Sequence, residues 1–147
     1  MSPERAGSVP AFPLVDLCFS GQYSKAEIKK MLVGKGGAVG HLGTNDFREV
    51  ENRAAAGEPA FVEFLNAFCI SVAKYIGAMA TVVGGKVDAI ILTGGIAYGK
   101  HITRPIIEMV QFIAPVEIYP GENELESLAE NGYGILGGEF EVKTYKK

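Results

Sequence analysis

A short apolar run, Ala89-Ile90-Ile91-Leu92, breaks into Thr93-Gly94-Gly95, and a helix-like segment follows from about Lys100. Strand, glycine turn and helix is how many α/β proteins bring backbone close to a nucleotide. Glycines without Cβ let the chain turn sharply and let a ligand approach the main chain. Gly94-Gly95-Ile96-Ala97-Tyr98-Gly99-Lys100 also matches G-x-x-x-x-G-K, the phosphate-binding loop. That motif continues with Ser or Thr, whose hydroxyl binds Mg²⁺. Here the next residue is His101, which is not a hard oxygen ligand. The next apolar run, Val116–Tyr119, ends in Pro120 and carries no carboxylate at its tip. The phosphate-loop reading is thereby disfavoured.

Other reactive side chains give weaker signals. Cys18 and Cys69 each fall inside an apolar helical pattern. Buried free thiols fit that placement better than a disulfide or a metal pair, and suit a reducing cytoplasm. His41 and His101 have no partners at metal-ligand spacing. Lys35 lies in a glycine turn with no helix start behind it, so a turn role outweighs phosphate binding. Lys25, Lys29, Lys30 and Lys35 read as a solvated face. A net charge of −3 argues against a nucleic-acid partner, which would call for a basic surface.

The elements that must position the turn follow from periodicity. With 147 residues, 48% of them hydrophobic, the chain can bury one core. Residues 1–10 are irregular, broken by Pro3, Gly7 and Pro10. A short helix is expected over Phe12–Phe19, with Leu14, Leu17 and Cys18 on one face. Ser24-Lys25-Ala26-Glu27 is a capping box that starts a second helix. Ala38–Leu42 reads as a short strand. Thr44 or Asn45 can cap a helix running to about Ala56, with Asp46 in its first turn.

Pro59 suits the start of the next helix. Phe61, Phe64, Leu65, Phe68, Cys69, Val72, Ile76, Met79 and Val83 then keep helical spacing, which predicts the most buried helix of the domain. Glu63, Asn66 and Lys74 interrupt it, so it reads as a core helix and not as a membrane span. Val87–Leu92 is expected to be a central strand covered on both faces. A helix through Ile113, a strand over Pro115–Tyr119, a last helix from Glu122 to about Ile135 and a mobile tail, Lys143–Lys147, complete an α/β layered domain.

One family accounts for these pieces together. Asp88-Ala89-Ile90-Ile91-Leu92-Thr93-Gly94-Gly95-Ile96 resembles the adenosine motif of the acetate and sugar kinase/Hsp70/actin superfamily. Gly43-Thr44-Asn45-Asp46-Phe47-Arg48-Glu49 resembles the acetokinase segment in which Asp-Phe-Arg opens a helix beside the nucleotide. With Ser2–Ser8, Leu14–Gly21, Leu32–Gly37, Leu92–Tyr98 and Tyr119–Glu124, the chain resembles butyrate kinase over nearly its full length. Where acetate kinases carry Gly-Ile-Gly-Glu-Asn, this chain has Gly95-Ile96-Ala97-Tyr98-Gly99. Contacts of that Glu and Asn therefore do not transfer.

The resemblance implies a ribonuclease H-like α/β fold and only the C-terminal, nucleotide-binding part of such an enzyme, over residues 1–147. Residues 1–10 would be an irregular interdomain segment. The implied activity is reversible transfer of the ATP γ-phosphoryl group to butyrate or a related short-chain carboxylate, with Mg²⁺. Asp46, Phe47 and Arg48 would line the adenosine pocket, and Gly94, Gly95 and Ile96 would close it. The carboxylate could accept from ribose hydroxyls, the phenyl ring could flank the base, and the guanidinium could pair with phosphate.

Arg5 would stand near the transferred phosphoryl group as a catalytic cation. Glu122 or Glu124 would orient Mg²⁺. The missing N-terminal domain would be the partner, with a homo-oligomer expected in the cytoplasm and neither nucleic acid nor membrane bound. The alternative is a non-catalytic nucleotide-binding or interaction domain. Plain structural roles also stay open: a helix-terminus role for Asp46, core for Phe47, and surface charge for Arg5, Arg48 and Glu122.

Overall fold

Helix caps and apolar spacing account for most of the elements. The computed structural model describes residues 1–145. They form α1 (Ala11–Phe19), α2 (Lys25–Leu32), α3 (Gly37–Leu42), α4 (Phe47–Ala55), α5 (Pro59–Val82), β1 (Ile90–Gly94), α6 (Lys100–Val110), β2 (Val116–Pro120) and α7 (Glu124–Leu136). A 3₁₀ turn, Gly95–Tyr98, joins β1 to α6. The capping box forms as the sequence predicts: Ser24 Oγ accepts from the Glu27 N–H, and Glu27 accepts from the Ser24 N–H. Pro59 opens α5.

Two starts differ from expectation. Residues 38–42 are helical, not a strand. The N-terminal segment lies against this stretch. The Ala38 N–H donates to the Ser2 carbonyl and the Val39 N–H to the Pro3 carbonyl, so helix-start donors find partners without a side-chain cap. The cap of α4 is Asp46 rather than Thr44 or Asn45. Its carboxylate accepts the Arg48 N–H at 2.9 Å, while Thr44 receives the N–H of Asp46. A carboxylate with two acceptor oxygens holds the helix start one residue further along.

The core sits where α4, α5 and α6 meet. Phe47 packs edge-on against Phe68 at 4.8 Å between ring centroids and against Phe64 at 6.3 Å. Val50, Ile102 and Val110 are almost fully enclosed. Arg53 ties the end of α4 to the start of α5. It bonds to Glu49 and Glu58 while its guanidinium lies 3.9 Å from the centre of the Phe61 ring.

The spacing of α5 predicts the most buried helix of the domain, and its burial is concentrated in the first half. Phe61, Phe64, Leu65, Phe68 and Cys69 are buried, whereas Met79, Val82 and Val83 are exposed. By length and composition alone α5 could cross a membrane, with a mean hydropathy of 1.4 over its most apolar window. Its first half is instead packed into the core. β1 departs from expectation in the same region. Among the described residues it pairs in parallel with β2 alone, Ile90 opposite Val116, and Ile91 stays 62% exposed. A groove of about 470 Å³ runs between the two, lined by Val72, Ile76 and Met79 on α5, by Val83 just after it, and by Ala89 and Ile90. One strand neighbour is too few to cover both faces.

α1 buries none of its residues, so Cys18 is exposed, not buried as its apolar surroundings predicted. Residues 143–145 are irregular, and Lys146 and Lys147 lie outside the described residues. Cys69 is buried, and its Sγ donates to the Ile102 carbonyl at 3.6 Å. Burial pushes its thiol up to about 11. A raised folded value means that the stability held in the neutral thiol is complete below the unfolded value of about 8.5 and lost as pH rises through the folded one. Thiol titration at pH 8 should therefore find Cys18 reacting at once and Cys69 silent until denaturant is added or the pH approaches 11. Truncating Phe68→Ala should cost about 3–5 kcal/mol in urea unfolding. Phe12→Ala on exposed α1 should stay within about 0.5 kcal/mol.

Candidate nucleotide site

The end of the sheet forms one wall of a cleft. Gly94 has φ +84° and Gly121 φ +97°, in the region that side chains with a Cβ rarely adopt. The two residues form an antiparallel bridge with reciprocal hydrogen bonds of 3.2 and 3.0 Å. That bridge brings Glu122 beside the turn. Tyr98 leans across the same point, so close that a Cβ on Gly121 would fall 2.6 Å from its hydroxyl oxygen.

The first turn of α4 forms the other wall. Asp46 grips Arg48 through both carboxylate oxygens. Oδ1 accepts from the Arg48 backbone N–H at 2.9 Å and from Nε at 3.1 Å, and Oδ2 accepts from the guanidinium at 2.9 Å. These bonds from Arg48 hold the Asp46 carboxyl below the usual carboxylate range, and the same contact raises Arg48. The Arg48 side chain is 89% exposed, so its guanidinium can turn to another anion. One turn along, Glu49 is lowered by hydrogen bonding to Thr44 and then to Arg53.

Between the walls lies a cavity of about 600 Å³. Asp46, Phe47, Arg48, Gly94, Gly95 and Ile96 all line it, and so does Glu122. A volume of that size falls in the range of small-molecule sites. The structure therefore brings together two segments that stand almost fifty residues apart in the chain. Glu124 is in the first turn of α7 and Arg5 is bridged to Val33 by its backbone, and neither lines the cavity.

Phe47 takes the core role that the sequence left open beside a pocket-lining one. Its ring is buried against Phe64 and Phe68, so it anchors the wall rather than offering a free face for a base. Tyr98, Asn45, Thr93 and Pro3 also line the cavity but were not singled out from sequence. An aromatic residue three positions after the second turn glycine was the available signal for Tyr98. Asn45 is held from behind by Glu4, which accepts from its Nδ2 at 2.8 Å.

Among the described residues, no three His, Cys, Asp or Glu side chains gather as a metal cluster. Asp46 is paired with Arg48, and Glu122 is the carboxylate of the cavity that has no ion pair among the described residues. His41 packs against the Phe64 ring, with centroids 5.7 Å apart. His101 takes part through its backbone N–H, which donates to Glu51.

Residues 4–133 match the model of the acetokinase family. The chain is 48% identical over 145 residues to a probable butyrate kinase of Bacteroides thetaiotaomicron, and 51% identical over 145 residues to butyrate kinase 2 of Clostridium acetobutylicum. Each match covers 99% of this chain and 41% of the relative, so the chain spans about two-fifths of their length. The fold matches that of Porphyromonas gingivalis acetate kinase, with a TM-score of 0.78 at 22% identity over 92% of this chain and 40% of the other. A propionate kinase of Francisella tularensis gives a TM-score of 0.71 at 24% identity, over 84% of this chain and 38% of the other.

A depressed carboxyl group stabilises the fold above its unfolded pKa, and that contribution is lost as pH falls through the folded value. An NMR pH titration should find Asp46 titrating below about 3.9, the free aspartate value, and Arg48→Ala should move it back up. Asp46→Ala removes the α4 cap as well and should lower the thermal midpoint by a few degrees.

Proposed function

The chain belongs to the acetokinase family, and we propose that its cleft is the adenosine-binding half of a butyrate-kinase-like active site. The observation that carries this reading is the convergence of Asp46-Phe47-Arg48 and Gly94-Gly95-Ile96 on one cavity. Neither segment could form it alone. The glycine turn presents backbone without side-chain obstruction, as close approach of a nucleoside requires. The Asp46 carboxylate can accept from ribose hydroxyls, and Arg48 can leave Asp46 to meet phosphate oxygens.

The complete enzyme would transfer the γ-phosphoryl group of ATP to butyrate or a related short-chain carboxylate, giving acyl phosphate and ADP. Such a transfer depends on positioning and charge neutralisation more than on covalent help from the protein. In this chain the cleft positions the nucleotide's base end. Arg5 stands in the irregular segment that leads to Pro3 on the cleft wall, and from there a cation would neutralise charge on the phosphoryl group. Mg²⁺ is commonly held by one or two carboxylates together with substrate phosphates and water. Glu122 fits that modest demand and Glu124, outside the cavity, fits it less well.

The acyl pocket and the rest of the phosphoryl site would come from the remaining three-fifths of the relatives' length. Residues 1–147 are then a single C-terminal unit entered through an irregular interdomain segment, in a cytoplasmic homo-oligomeric enzyme. The exposed half of α5 and the open face of β1 support a unit that is covered by further chain or by a second copy.

Calorimetry should detect ADP binding to the 147-residue chain. Asp46→Ala should weaken that binding at least about five-fold, and His101→Ala by less than about two-fold. Equal losses would favour a site around Lys100 and overturn this assignment. The purified chain should form no ADP from ATP and butyrate, and turnover would show that it carries a complete active site.

A further inference from the structure

The N-terminus of α6 looks in sequence like a phosphate cradle, and the structure places a carboxylate in it. Glu51, on α4, reaches across to α6, where its Oε1 accepts the His101 backbone N–H at 2.8 Å. A Cβ on Gly99 would fall 2.5 Å from Oε2, 2.8 Å from Cδ and 2.9 Å from Oε1. The whole carboxylate therefore lies over the first turn of α6, and Gly99 is the residue that leaves room for it. The helix has no other anion there: Gly99 offers no side-chain cap, and the first turn of α6 contains no acidic residue.

A helix start with free N–H groups carries partial positive charge and attracts phosphate. A glycine and a lysine at that start, Gly99 and Lys100, add to the attraction. In this chain Glu51 already takes the His101 N–H of that terminus, and its negative charge opposes a second anion. Tyr98 lines the adjoining cavity, whereas Gly99, Lys100, His101 and Glu51 do not. Arg48, Asn45 and Pro3 line that cavity instead.

We propose that Glu51 is a positioning and specificity residue that acts as the built-in anion of the α6 N-terminus, denying it to phosphate and so fixing which way a nucleotide lies in the cleft. The base end is kept by Gly94-Gly95-Ile96, and the phosphates point away from Lys100, toward Arg48. The direction of the nucleotide rests on the proposed function. The exclusion of phosphate from α6 does not.

Two measurements on the 147-residue chain separate the two. In the first, amide shifts of residues 99–102 are followed by NMR as inorganic pyrophosphate is added. The native chain should show no saturable change there, and Glu51→Ala should gain one at millimolar pyrophosphate. A saturable response at these amides in the native chain, or none in folded Glu51→Ala, would overturn the proposal. In the second, Glu51→Gln keeps an acceptor for the His101 N–H and removes only the charge. The ratio of ADP to adenosine affinity should rise about three- to ten-fold in this variant, as expected for lifting one nearby charge in a partly screened site. Equal losses for both ligands would make Glu51 a mere structural strut and overturn it. If neither ligand binds the native chain, the nucleotide reading fails, and the pyrophosphate result still decides the role of Glu51.

Discussion

Phe47 stands where the core meets the cleft, and the packing of its ring against Phe68 governs both. The ring is the first residue of α4 and drives that helix end into the aromatic cluster on α5. Asp46 and Arg48, its immediate neighbours, are turned outward by the same placement. The wall of the cavity is therefore set by a buried contact rather than by its own exposed ion pair, whose charges are largely solvated. Val50 and Arg53, further along α4, repeat the pattern: one is enclosed, and the other clamps the start of α5 through Glu58.

The opposite wall obeys a different constraint. Here backbone does the shaping, because Gly94 and Gly121 occupy left-handed conformations and bond to each other. Tyr98 fills the space that the missing side chain of Gly121 leaves. Glu51 links the walls from behind, since it leaves α4 one turn after Asp46 and ends at the start of α6. One cleft thus draws on hydrophobic packing, glycine geometry and a single long-range carboxylate contact.

Much of this was legible in the chain. The capping box at Ser24, Pro59 at the head of α5, and the glycine turn after β1 depend on neighbouring residues, and local spacing reveals such features. Residues 38–42 do not announce a helix because five small or mixed residues carry no period, and the helix is completed by carbonyls from Ser2 and Pro3. Periodicity gave the face of α5 but not how far along it burial would extend, because that depends on what packs against Met79 and Val83. Cys18 shows the same limit: an apolar pattern gives a side, not a covering. The grouping of Asp46-Phe47-Arg48 with Gly94-Gly95-Ile96 came from family resemblance, since nothing local to either segment announces the other. Tyr98 and Glu51 went unnoticed, because each matters through a contact with a distant turn.

The Gly94–Gly121 bridge has a mechanical consequence. Its two hydrogen bonds close the end of the sheet and join Gly94, which lines the cavity, to the residue before Glu122. Fraying of the strand ends would therefore also loosen that wall of the cleft. A molecule seated against the turn works as a clasp on the sheet, and hydrogen exchange at these two glycine amides would read its occupancy from within the backbone.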